Sequence, residues 1–86
     1  MKQITYTKAA ARALSRMPTT TAALIRGKIV EYASVPASQA NNVMALHGSS
    51  WIRLRIGDWR VIIEDGAVLE VLKVAPRGRA HVEGGQ

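Results

Sequence analysis

Trp51-Ile52-Arg53-Leu54-Arg55-Ile56-Gly57-Asp58-Trp59-Arg60-Val61-Ile62-Ile63-Glu64 is the stretch on which the fold turns. Polar and apolar residues alternate from Trp51 to Ile56, the period of a strand with one buried face. Gly57-Asp58 is a two-residue hairpin signal, and Trp59–Glu64 is the return strand. Such a loop sets Ile56 opposite Trp59, Arg55 opposite Arg60, Leu54 opposite Val61 and Arg53 opposite Ile62. Side chains alternate across a strand, so Ile52, Leu54, Ile56, Trp59, Val61 and Ile63 share a covered face. Arg53, Arg55 and Arg60 fall on the other, open face. Like charges directly opposite one another destabilise a sheet by a few tenths to ~1 kcal/mol. A fold that keeps Arg55 across from Arg60 is therefore expected to build a cationic spot there. Arginines merely solvated on an open face are the plain alternative, against which two strands converging on one patch weigh.

Downstream, Asp65-Gly66 is a second turn signal leading into a strand at Val68–Val74. A two-residue loop puts Glu70 on the covered face, whereas a three-residue loop puts it on the open face near Arg60; the residues leave both open. Upstream, Val43–Leu46 reads as a short strand broken by His47-Gly48-Ser49-Ser50, and residues 34–42 read as a loop. Before that loop the period is helical. Thr7 is a cap for a helix from Lys8 to about Met17, with Ala9, Ala10, Ala13, Leu14 and Met17 as its apolar stripe. Pro18 closes it, and Thr19–Thr21 caps a second helix to about Ala33, where Ala22, Ile25, Ile29 and Tyr32/Ala33 recur at helical spacing. Ile4 and Tyr6 mark a strand over residues 2–7. The expected fold is one α+β domain over residues 1–86: an N-terminal strand, an antiparallel helical hairpin, then a three- to four-stranded antiparallel meander with the helices on one face.

Composition limits how such a domain is held together. Of 86 residues, 48% are hydrophobic, yet there is no Phe and there are only two Trp and two Tyr. Stability then rests on Ile, Val and Leu, without a disulfide or thiolate metal site, since there is no cysteine. No apolar run approaches the ~18 residues of a membrane span, and Lys2, Gln3 and Thr5 break up any leader-like start, so a soluble, cytoplasmic chain is expected. The net charge of +6 favours a polyanionic partner. Residues 1–50 carry six cations against Glu31 alone, whereas residues 51–86 carry six against five acids.

The segment Val74-Ala75-Pro76-Arg77-Gly78-Arg79-Ala80-His81 follows the last strand. Pro76 cannot donate to a ladder and is expected to end it, letting Arg77 and Arg79 reach the rim of the open face. A guanidinium holds phosphate bidentately but is a poor proton shuttle, whereas His81 is the side chain there that ordinarily titrates near neutrality. Arginines plus one histidine suit metal-free RNA cleavage, in which a ribose 2′-hydroxyl attacks its own phosphate.

These residues resemble the RelE/ParE toxins of bacterial type II toxin–antitoxin systems. The resemblance covers nearly the whole chain and is clearest in Leu46-His47-Gly48, in Trp51–Ile62 and in Val71-Leu72-Lys73-Val74-Ala75-Pro76-Arg77-Gly78. It implies a microbial-RNase-like fold and a ribosome-dependent mRNA endonuclease that inhibits translation. Also implied is a cognate antitoxin with an acidic segment, forming a hetero-oligomer with the chain. By the resemblance, Arg53 and Arg55 hold substrate, Arg60 and Arg77 stabilise the phosphate in the transition state, and His81 stands where relatives carry a proton-handling tyrosine; Arg79, at the rim, is a further substrate-binding candidate by its position alone. Here the chain departs from the family it resembles, having no tyrosine after Tyr32. ParE-like inhibition of DNA gyrase is the alternative, as is an attenuated toxin that mainly binds its antitoxin.

Lys8, Arg12 and Arg16 recur at four-residue spacing along the first helix. They are candidates for docking ribosome or antitoxin, although a solvated helix face explains such a stripe as well. His47 reads as a loop histidine, and two histidines without cysteine argue for no metal; no cofactor is expected either. Trp59 falls on the covered face, and Trp51, on the arginine face, is the better candidate for base stacking.

Overall fold

The structure is a computed structural model and describes residues 1–46 and 48–78. Its elements run β1 (Ile4–Tyr6), α1 (Lys8–Ser15), α2 (Thr19–Ser34), a 3₁₀ helix (Pro36–Asn42), β2 (Val43–Ala45), β3 (Trp51–Ile56), β4 (Trp59–Asp65) and β5 (Leu69–Pro76). The strands form one sheet in the order β1-β5-β4-β3-β2. Four make the expected antiparallel meander, and β1 joins β5 as a parallel edge strand, with Ile4 opposite Leu69 and Tyr6 opposite Val71. A parallel pairing needs a crossover, which α1 and α2 belong to.

Both helices cover one face. Ala10 and Leu14 of α1 and Ile25, Ile29, Tyr32 and Ala33 of α2 meet Leu54, Val61, Ile63, Leu69 and Val71 in the main core. Ala9, expected in the apolar stripe, is exposed instead, because the face turned to the sheet is narrow. Thr7 caps α1 as expected: its hydroxyl accepts from the Ala10 N–H at 3.2 Å and donates to the Leu72 carbonyl at 2.8 Å. The helix stops at Ser15, two residues short of expectation, with Arg16 as its C-cap.

Several other expectations are corrected. Thr19–Thr21 does not cap α2; Pro18 occupies the N-cap position, and no side chain bonds the first turn. Residues 36–42 are helical, not irregular. Pro36 sits in the first turn, where its missing N–H costs nothing, Ser38 donates to the Val35 carbonyl at 2.7 Å, and buried Gln39 donates to Glu31 at 2.9 Å. Pro36 and the side chains of Ser38 and Gln39 thus hold a segment whose composition reads as a turn. The strand expected at Val43–Leu46 ends at Ala45, and the last strand runs from Leu69 through Pro76, not from Val68 to Val74. Pro76 is tolerated because it is the terminal residue of β5, opposite Trp59.

Candidate phosphate-binding face

The hairpin register is the one read from the sequence: Ile56 faces Trp59, Arg55 faces Arg60, Leu54 faces Val61 and Arg53 faces Ile62. Gly57 has φ +57° while Asp58 does not adopt a positive φ, the pattern of a turn that needs glycine first. Leu54, Val61 and Ile63 are 0% exposed, and Arg53, Arg55 and Arg60 stand on the opposite face.

The opposed arginines avoid each other by finding different partners. Arg60 Nη1 donates to the carbonyls of Gly57 and Trp59, both at 2.9 Å, so its guanidinium is folded back over the turn. Arg55 Nη2 donates the other way, to Asn42 Oδ1 at 3.2 Å. Arg53 Nη2 lies 3.1 Å from Met44 Sδ. Together Arg53, Arg55 and Arg60 line a cleft of about 210 Å³ with Asn41, Asn42, Val43 and Met44. A guanidinium has five N–H donors, so each of these arginines retains donors for an oxyanion.

β5 supplies the rest of the face. The Arg77 N–H donates to the Asp58 carbonyl at 2.7 Å, which fixes the residue after the last strand against the hairpin turn. Arg60 pairs with Ala75, so a small side chain lies beside it on that strand. Arg79 and His81 lie outside the described residues, as does His47.

Two features of this face were missed in the sequence. Ile62 is only 3% exposed and, with Ala75, gathers Leu46, Trp51 and Leu72 into a second, small apolar cluster. Trp51 therefore packs beside Ile62 on the arginine face. The register of β5 also slips between Ile62 and Ile63: Ile62 faces Lys73, yet Ile63 faces Val71. Leu72 is the extra residue of a bulge, and the slip turns Lys73 onto the open face. Strict alternation from Leu69 would have put Lys73 in the core. Val71 and Val74, apolar three residues apart around a lysine, were the available signal.

The second turn is a three-residue loop, since Asp65 faces Leu69. Glu70 accordingly lies on the open face opposite Glu64, and Glu64 in turn faces Trp51, so both acids sit at the far end of the strands from Arg60. Asp65 is an anchor rather than a site residue: Lys2 Nζ and the Tyr32 hydroxyl (2.6 Å) both donate to its carboxylate. Burial pushes that carboxyl up, but hydrogen bonds from Lys2 and Tyr32 and the charge of Lys2 together hold it below its usual range. Burial first, then the bond to and the charge of Asp65, push the Tyr32 phenol up to about 12.

Lys8, Arg12 and Arg16 are exposed on or at the end of α1. Since α1 lies on the covered face, the sheet stands between this stripe and the arginine face. No helix of the described residues is long and apolar enough to cross a membrane.

A five-stranded sheet with two helices on one side and arginines on the other defines a small α+β architecture. No protein-family model and no curated protein matches the chain. Solved structures do. The archaeal RelE–RelB complex from Pyrococcus horikoshii OT3 is similar with a TM-score of 0.74 and 27% identity over 92% of this chain and 98% of that one. The intact Escherichia coli RelBE toxin–antitoxin complex is similar at 0.72 and 15% identity, covering 92% and 100%. The isolated Escherichia coli RelE toxin follows at 0.69 and 16% identity, covering 98% and 93%. In fold, the chain is similar to the RelE toxins of these complexes.

Proposed function

We propose that this chain is the toxin of a toxin–antitoxin pair and acts in the cytoplasm as a ribosome-dependent mRNA endonuclease. The observation that carries the reading is the gathering of Arg53, Arg55 and Arg60 around one cleft of the open face, with the backbone of Arg77 held at the adjoining turn. Attack of a ribose 2′-oxygen on the adjacent phosphorus forms one P–O bond and breaks the bond to the 5′-oxygen. The transition state carries additional negative charge on the non-bridging oxygens. Arg60, its guanidinium already oriented by two carbonyls, and Arg77 would hold that charge, while Arg53, Arg55 and Arg79 hold the chain on either side. His81 would move a proton, a contribution of roughly 10²–10⁴ in rate. The products are a 2′,3′-cyclic phosphate and a free 5′-hydroxyl, and none of these steps draws on a metal or cofactor.

The partner proposed is a cognate antitoxin, supported by the solved RelE complexes with RelB, and the net charge of +6 favours an acidic segment in it. One observation favours a weaker enzyme: no tyrosine follows Tyr32. The test is a translating extract given the purified chain, with and without EDTA, and mapping of mRNA ends. Discrete cuts bearing cyclic phosphate and insensitive to EDTA are expected, and a 2′-deoxy nucleotide at the cut site should abolish them. Intact mRNA together with blocked supercoiling by purified gyrase would replace this reading with the ParE-like one. Intact mRNA with no growth arrest would leave an antitoxin-binding module.

A further inference from the structure

We infer that Lys73 is a second phosphate-binding point on the open face, holding an RNA phosphate next to the one that reacts; this rests on the nuclease reading above. The bulge at Leu72 puts Lys73 level with Ile62 and Arg53, in a row that crosses the sheet from β3 to β5. Strands are spaced ~4.8 Å apart, so the backbones of Arg53 and Lys73 stand ~10 Å apart with Ile62 between them. Along β5, Lys73 and Ala75 point to one side, and Arg77 follows the strand with its backbone N–H held by the Asp58 carbonyl. Ala75 in turn lies beside Arg60. Arg60 thus shares the open face with Arg53, Arg55 and Lys73, and none of the four forms an ion pair with another described residue.

The bulge is a built feature. Thr7, the cap of α1, donates its hydroxyl to the carbonyl of the bulged Leu72 at 2.8 Å. Bulges re-aim side chains and are over-represented beside active sites. Here Val71 and Val74 both stay in the core, and the residues between them go to the open face: Leu72 into the small cluster around Ile62, and Lys73 beside it. A lysine contributes a mobile point charge without the bidentate geometry of arginine. It suits a neighbouring phosphate on a flexible strand rather than the reacting one, and the Trp51–Ile62–Leu72 cluster gives the intervening nucleotide an apolar surface.

The experiment measures binding of a short single-stranded RNA, blocked at its 2′-positions, to the full chain by fluorescence anisotropy across a salt series. Cleavage of ribosome-bound mRNA is followed in parallel. Lys73→Ala is expected to weaken RNA binding three- to tenfold and to reduce the log–log salt slope by ~0.7, the value of one lost phosphate contact on a single strand. In cleavage it should raise the half-saturating concentration more than it lowers the maximal rate, and Lys73→Arg should restore both. Lys73→Gln, which keeps the side-chain length, controls for packing and should behave as Lys73→Ala does. Wild-type slope and affinity in the alanine and glutamine variants, beside a wild-type chain that binds and cuts, would overturn the inference alone. A wild-type chain that neither binds nor cuts RNA would overturn the nuclease reading and this inference with it.

Discussion

Leu54 and Arg53 are neighbours in β3, yet the two faces they occupy are governed by different physics. Leu54 is 0% exposed and sits under both helices, whereas Arg53 faces a polar cleft beside Met44 and Arg55. The covered face is held by burial of Ile, Val and Leu, which is strong, non-directional and indifferent to partner. The open face sets like charges against one another and relies on turn carbonyls and Asn42 to hold them apart. One face stabilises the sheet; the other sets Arg55 against Arg60 at a cost in stability.

That contrast can be broken from either side. The largest effect is expected on the covered face, where Leu54→Ala should cost about 2–5 kcal/mol. Arg53→Ala one residue away should change stability by no more than about 0.5 kcal/mol. Thermal or urea unfolding checks both, and similar losses would show that the two faces are not distinct.

Next comes the anchor at the edge of the core. The Tyr32 phenol is raised to about 12, so the folded state favours its protonated form; that stability is full below the ordinary value near 10 and is lost as pH rises through about 12. The loss amounts to about 2–3 kcal/mol, from a two-unit shift. Asp65 has the opposite sign: its carboxyl is lowered, so its contribution is full above about 4 and falls away as acid titrates the folded carboxylate. Stability against pH should fall at both ends, and Tyr32→Phe should remove the alkaline limb. A flat alkaline limb in the wild type would contradict the burial of the Tyr32 phenol beside Asp65.

The smallest effect has the most informative sign. Arg55→Thr relieves the direct opposition to Arg60 and puts a β-branched residue on a strand, so it should stabilise the fold by a few tenths of a kcal/mol to ~1 kcal/mol. The same change should weaken mRNA cleavage. Gain and loss in one variant would separate the two faces more cleanly than any loss alone.

The covered face and the hairpin register were legible because both are local. A two-residue turn and strict alternation leave one pairing that puts every apolar residue from Ile52 to Ile63 except Ile62 on the covered face. What escaped was non-local or held by side chains. The pairing of β1 with β5 spans 65 residues, from Ile4 to Leu69, and no pattern near either announces it. The 3₁₀ helix depends on Gln39 meeting Glu31, and the bulge on Val71 and Val74 both finding the core. Within the candidate site, the arginines of β3 and β4 followed from parity, while Lys73 required the bulge.

The most direct test of the central claim, that the open face acts on RNA phosphate while the covered face only supports it, is the rate of mRNA cleavage by Arg60→Ala in a translating extract. A loss of about 10²–10³ in rate is expected, as for removal of one oxyanion-stabilising donor, with an unfolding midpoint close to wild type. Cleavage at the wild-type rate by a folded Arg60→Ala chain would contradict it.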